Sequence, residues 1–231
     1  MKRISLMENI YLVGGGKGGV GKSMVTMSLI DFLMNEGKNI LVVETDNSNP
    51  DVLKCYGGVT TAVALNLDHV DGWMDLINQC ENYKNHIVVI NSAARNDHAV
   101  QTYGDRLQHA LPLLKRKLIT LWVINRQRDC IELLRNFLDQ IPESKTNVLM
   151  NSYFGNKEKF ETYNNSQTKK YIEQRGGKSL IFPELADRVA DDLYINRMTI
   201  EKAAEDLPIG NRIELLRWRS EVKKMFEEVI A

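Results

Sequence analysis

Paired cysteines are missing from this 231-residue chain. Cys55, Cys80 and Cys130 lie far apart, with no CxxC or CxxH unit. That excludes the common zinc and iron–sulfur spacings and leaves three reduced thiols of a cytosolic protein as the plain reading. Long apolar runs are missing too. The longest, about Leu118 to Ile124, falls far short of the roughly 20 residues that span a bilayer. No secretory signal is expected, because Glu8 and Asn9 interrupt the stretch after Met1-Lys2-Arg3. Neither sign of charge dominates. The 30 Lys+Arg balance 30 Asp+Glu, which argues against a chain coated in DNA-binding positive charge but leaves local basic patches open. Linkers, low-complexity segments and internal repeats are also absent from the pattern.

What is present is an ordinary globular composition, 43% apolar and 26% charged, too apolar for a disordered chain. The length suits one α/β domain covering residues 1–231. Short β-branched runs predict strands over 9–13, 39–44, 86–90, 118–125, 146–150 and 179–182. Helical patterns separate them over 21–35, 71–79, 105–117 (with Pro112 as a kink or break), 129–140 and 211–230. The polar stretch 151–177 reads as surface helices and loops of the same domain. Continuous apolar strands alternating with helices predict a mostly parallel, twisted sheet with helices on both faces.

The strongest motif is Gly16-Lys17-Gly18-Gly19-Val20-Gly21-Lys22-Ser23, which matches GxxxxGK[ST] between a predicted strand and a predicted helix. Glycines let backbone N–H groups form a nest around phosphate oxygens, and the helix N-terminus adds partial positive charge. Lys22 reaches for the β- and γ-phosphates, and the Ser23 hydroxyl suits Mg²⁺. These features predict a P-loop NTPase fold.

The same run resembles the deviant Walker A motif of the ParA/MinD family, which carries a second lysine at the position of Lys17. The resemblance implies ATP as the nucleotide, with Gly16 through Met24 holding it. It also implies a homodimer in the ATP state, in which Lys17 crosses to the partner's nucleotide. A second cation there would stabilise charge developing in phosphoryl transfer, as an arginine finger does. The alternative for Lys17 is a solvated loop lysine.

Glu44-Thr45-Asp46 closes the second predicted strand, at the sheet edge where open α/β folds bind ligands. The family has Asp-x-Asp here, so Asp46 takes the second acidic position, near Mg²⁺ and the attacking water. Residues 47–51 are otherwise a polar turn, and Asp51 is the weaker candidate. The run 86–90 ends in Asn91, where related ATPases place the Walker B aspartate. Asparagine accepts hydrogen bonds but brings no charge, so slow hydrolysis is expected. Asp46 or Asp97 are the candidates to supply the charge, and Asn91→Asp discriminates: a large rise in turnover would mark an intact but attenuated site rather than a nonhydrolytic adaptor. Asn151 and Pro183 occupy positions where the family contacts adenine, although Asn151 equally fits a strand-end cap.

Basic clusters at Lys115-Arg116-Lys117, Arg126 with Arg128, Lys169-Lys170, and Arg217, Arg219, Lys223 and Lys224 are candidates for nonspecific DNA contact. Each alone is more often a solvated face. The last helix carries Leu215, Trp218, Val222, Met225 and Val229 at helical spacing, and Glu214, Glu221, Glu227 and Glu228 dilute its basic face. Docking on the core is expected of it rather than membrane binding. His69, His86, His98 and His109 show no ligand spacing.

The leading reading is a cytoplasmic ATPase switch, similar to plasmid stability and conjugative mobilisation members of the family, with a DNA-bound adaptor as partner. A nonhydrolytic ATP-binding adaptor is the alternative that Asn91 raises. A small-molecule kinase would not need Lys17. A reductase or metal-delivery ATPase would need paired cysteines.

Overall fold

The computed structural model describes residues 9–93 and 97–230. Residues 1–8, 94–96 and 231 lie outside that description, as do the side chains of Asp97 and His98. The N-terminal reading and the suggested part for Asp97 fall there. In chain order the elements are β1 (Ile10–Gly14), α1 (Lys22–Asn35), β2 (Ile40–Glu44), α2 (Asp51–Tyr56), β3 (Thr61–Ala64), α3 (Val70–Asn82), β4 (Ile87–Asn91), α4 (Asp97–Leu114), β5 (Leu118–Ile124), α5 (Arg128–Gln140), β6 (Lys145–Asn151), α6 (Glu161–Asn164), α7 (Gln167–Gln174), β7 (Ser179–Phe182), α8 (Asp187–Ile195), α9 (Ile200–Asp206) and α10 (Ile209–Ile230).

The strands form one sheet in the order β3-β2-β4-β1-β5-β6-β7, with every neighbouring pair parallel. Parallel strands need crossover helices, and helices on both faces demand strands that are apolar on both sides. β1, β2, β4 and β5 are accordingly buried along their whole length. Helices α1, α2, α9 and α10 pack as one group, and α3 through α7 as another. β1 lies between the two halves of the sheet. The chain leaves it for β2 on one side and later returns past it to β5 on the other. That reversal opens a crevice at the carboxyl ends of the strands.

Some boundaries differ from those expected. α4 starts at Asp97 rather than at 105 and ends at Leu114. Pro112 falls in its last turn, where it cannot donate to the carbonyl four residues back and the helix ends two residues later. The chain then leaves through Lys115 at φ 54°, and Arg116 N donates to Leu111 O at 3.1 Å. β3 is only four residues at the sheet edge, three half-buried and Ala64 exposed, too short to carry a pattern. α2, α8 and α9 were not evident either.

α10 docks on the core as its spacing predicts, burying Leu215, Trp218, Val222, Met225, Phe226 and Val229. Phe226 meets Phe32 of α1 with ring centroids 5.6 Å apart. Beside them Arg219 grips Asp31 with two bonds of 2.7 Å. The Asp31 side chain is only 7% exposed. Burial pushes its carboxyl above the ordinary value near 3.8 even though Arg219 pulls it down. Removing the guanidinium strands a buried carboxylate, so Arg219→Leu is expected to cost roughly 3–5 kcal/mol. The cost depends on pH. A carboxyl with a raised folded pKa contributes stability that is present below its unfolded value and lost as pH rises through its folded value. Losing Arg219 raises that value further. Thermal melts should therefore show a larger deficit at about pH 7.5 than at about pH 5.

Candidate functional site

The loop from Gly15 to Gly21 leaves β1 and enters α1. Gly19 and Gly21 hold φ of 74° and 104°, a region that strains any side chain. A Cβ on Gly21 would also lie 2.5 Å from Asn151 Nδ2. Gly21 is the N-cap of α1 and supplies no side-chain cap, and the first turn holds no acidic residue. The first amides of α1 are thus left for an anion.

These residues face a cavity of about 300 Å³ lined by Gly18, Gly19, Gly21, Lys22 and Ser23 from the loop side. Asp46, Asn49 and Asp51 line it from the β2–α2 segment, Asn91 and Ser92 from the end of β4, and Tyr194 from α8. Ser23 and Asp46, singled out for Mg²⁺, thus share one cavity. Gly16 is buried behind the loop. The side chains of Val20 and Met24 belong to the core, and neither residue lines the cavity. Lys22 is 8% exposed, and its Nζ donates to Lys17 O at 2.8 Å across the loop.

Lys17 is placed differently. It does not line the cavity. Its Nζ donates to Asp129 Oδ2 at 2.5 Å and to Gln127 Oε1 at 3.2 Å, at the start of α5. The hydrogen bond to Asp129 raises the Lys17 ammonium above its usual value and holds the Asp129 carboxyl below its own. Both side chains remain substantially exposed, 34% and 60%.

Asp46 orders its own segment. Its Oδ1 accepts from the amides of Ser48 at 3.1 Å and Asn49 at 3.0 Å, a local turn of the kind aspartate favours. Behind it Thr45 ties the ends of β2 and β4 together, donating to Asn91 O and accepting from Ala93 N. Asn91 is 1% exposed. Its Oδ1 lies 2.9 Å from Thr26 Oγ1, and its Nδ2 donates to Glu44 Oε1 at 2.9 Å. Glu44 is fully buried, and burial pushes its carboxyl upward. Glu44 and Tyr194 escaped the sequence reading. The signal for Glu44 was an acidic residue closing an aliphatic strand; for Tyr194 there was none.

Asn151 Nδ2 donates to Val20 O at 2.9 Å, and its Oδ1 accepts from Tyr153 N. It fastens the end of β6 to the phosphate loop. Pro183 follows β7, the strand beside it, and its carbonyl accepts from Trp218 Nε1 at 2.8 Å. Pro183 lines a separate open cleft with Ser152, Glu184 and Arg217.

The basic clusters are largely neutralised. Arg217 bonds Glu214 and Glu221, Arg219 bonds Asp31, Lys223 approaches Glu36, and Arg128 pairs with Glu132. Arg116 is buried and donates to Tyr83 O. Lys115 and Lys117 precede β5 and Arg126 follows it, so they sit at opposite edges of the sheet. No helix among the described residues is long and apolar enough to cross a membrane. Burial pushes the Cys55 and Cys80 thiols up to about 11.

Residues 11–151 match the family model of the CobQ/CobB/MinD/ParA nucleotide binding domain. Protein MobD of Acidithiobacillus ferrooxidans is 52% identical over 225 residues, covering 97% of this chain and 99% of that one. Among solved structures, the fold is similar to the cell division ATPase MinD of Pyrococcus furiosus, with TM-score 0.57 and 14% identity over 95% of this chain and 100% of that one. The MinD cell division protein of Aquifex aeolicus gives 0.54 and 14% over 93% and 96%. At such identity these two speak for the fold alone.

Proposed function

This chain belongs to the CobQ/CobB/MinD/ParA nucleotide-binding domain family, and we propose that it is an ATP-dependent dimerising switch with slow hydrolysis, acting in the positioning or mobilisation of plasmid DNA. The mobilisation part draws on the similarity to protein MobD. The switch part draws on one observation above all. Lys17 is not among the residues lining its own cavity and is held on an exposed tether to Asp129. A cation placed there has little to do in its own subunit and is positioned to serve a second one.

The donors fit a nucleoside triphosphate with a hard divalent cation. Uncapped α1 amides and Lys22 suit the anionic oxygens, and the Ser23 hydroxyl and Asp46 suit an ion that prefers oxygen. Mg²⁺, when bound, supplies charge neutralisation across the phosphates. Asp46 is held by its turn where it can orient a water. An adaptor protein bound to DNA is the partner that the likeness to the mobilisation-type relative suggests. With Arg128, Arg217 and Arg219 engaged by Glu132, Glu214, Glu221 and Asp31, these clusters offer less free charge for direct phosphate contact.

Light scattering at one protein concentration tests this. A dimer with ATP–Mg²⁺ and a monomer with ADP–Mg²⁺ is expected, and a monomer in both would overturn the switch. Asp129→Ala should favour the ATP dimer a few-fold, because Lys17 no longer has to leave a partner. The effect stays small because exposed pairs contribute little, and added salt should mimic it. Acid should not do so near neutrality. Asp129 has a lowered pKa, so its pairing is present above the ordinary carboxyl value and lost only as pH falls through the lowered one.

A nonhydrolytic adaptor is the second reading. It is favoured by the neutral Asn91 at the end of β4, and a dimer with either nucleotide would support it.

A further inference from the structure

Resting on the nucleotide–Mg²⁺ reading above, we propose that Glu44 carries the negative charge that β4 lacks, and that it acts on the metal's water shell through Asn91. Glu44 and Asn91 are register partners at the carboxyl ends of adjacent strands. Asn91 lines the cavity, and Glu44 stands directly behind it. The charge expected on one strand is therefore present on its neighbour, one side chain further from the nucleotide.

Glu44 is 0% exposed. Its Oε1 accepts from Asn91 Nδ2 at 2.9 Å and from Asp46 N at 3.0 Å. Its Oε2 is buried with no hydrogen-bond partner. The Leu53 amide favours the charged form but does not reach hydrogen-bond geometry. No ion pair to Glu44 exists among the described residues. A buried carboxylate left in this condition is costly. Glutamine would make the same two bonds at the smaller cost of an unpartnered neutral NH2 in place of Oε2, so a purely structural role does not require the charge.

The orientation of Asn91 is forced. A carboxylate only accepts, so the amide nitrogen must face Glu44, and the amide oxygen then faces Thr26 Oγ1. A carboxylate on the nitrogen side polarises the amide and makes its oxygen a stronger acceptor. Thr26 lies one turn beyond Lys22 and Ser23 on α1, and its hydroxyl also contacts Lys22 O at 2.9 Å. The Glu44–Asn91 unit is thereby tied to the helix that presents Ser23.

Asn91→Asp alone would set two carboxylates within hydrogen-bond distance of each other, so it should not raise turnover. The exchange must be made as a pair. Binding of a fluorescent ATP analogue, titrated with Mg²⁺, reads the proposal, with melting temperature recorded in parallel. E44Q keeps both hydrogen bonds and removes the charge. It is expected to raise the Mg²⁺ midpoint about ten- to a hundredfold without lowering the melting temperature. N91D should impair both. The double variant E44Q/N91D, with one carboxylate again and its donor opposite, should return the midpoint to within about threefold of the wild type.

A structural role predicts the opposite pattern, in which E44Q melts lower at an unchanged midpoint. That result overturns the proposal, as does a double variant no better than E44Q. If E44Q does not fold, the double variant decides alone: a midpoint like that of the wild type supports the proposal, and a lost Mg²⁺ response sinks it. Wild-type protein that binds no nucleotide would bring down the nucleotide–Mg²⁺ reading as well, which separates the two failures.

Discussion

Lys22→Ala is expected to lower turnover by about 10²–10³-fold, with a parallel loss of nucleotide affinity and almost no change in melting temperature. The dissociation between the two readouts comes from the position of the side chain. Lys22 is nearly buried, yet it lies in the cavity wall and not in the aliphatic core. Its ammonium reaches across the loop to Lys17 O, above the uncapped amides of α1. Those amides carry only partial charges, and Lys22 brings the full positive charge to the same concave surface. Hydrogen bonds between ionised partners are about twice as strong as neutral ones, so no neutral replacement recovers the loss. Lys22→Arg should also fail to restore activity, because a planar fork does not fit where a point charge turned inside a tight loop. Affinity is measured by titration of a fluorescent ATP analogue and turnover by phosphate release. Unchanged affinity in the alanine variant would remove this cavity as the nucleotide site.

Much of this site is legible in the sequence, and the reason is local. The phosphate loop is a continuous segment whose backbone geometry, positive φ at Gly19 and Gly21 included, is specified by its own residues. Asp46 was legible because it directly follows an apolar strand, and position along a parallel strand maps onto the sheet edge. The sheet was legible for the same reason, as seen in the uninterrupted burial of β1, β2, β4 and β5. What stayed hidden depends on strand order. Nothing in the chain says that β2 pairs with β4, so nothing said that Glu44 faces Asn91. Tyr194 arrives from a helix nearly 150 positions beyond Asp46 in the numbering, without a motif. The pairing of Lys17 with Asp129 spans 112 positions and likewise has no local trace. The engagement of the basic clusters was hidden for a related reason. Sequence shows where cations are dense, but only packing shows that Arg217 and Arg219 are occupied by Glu214, Glu221 and Asp31.

Lys17→Ala should depress adaptor-stimulated turnover by about 10³–10⁵-fold, the range of a charge supplied in trans to phosphoryl transfer, while the variant still pairs in the presence of ATP. Loss of activity alone does not establish that the lysine crosses between subunits, so mixing is the informative experiment. In a trans arrangement, Lys17 of one subunit serves the cavity that holds Asp46 of the other. A Lys17→Ala subunit paired with an Asp46→Asn subunit then has one complete site, because its own Asp46 is intact and its partner still donates Lys17. The second site lacks both groups. With equal amounts and random pairing, half the dimers are mixed and one of their two sites works, so turnover should return to about a quarter of wild type. In a cis arrangement neither subunit contains a complete set, and the mixture should stay as inactive as its parts. The geometry favours the first outcome. Lys17 already points away from its own cavity toward the N-terminal end of α5, and its tether is an exposed pair that a competing phosphate charge can displace. An inactive mixture, with both variants folded and able to pair with wild type, would return Lys17 to its own subunit.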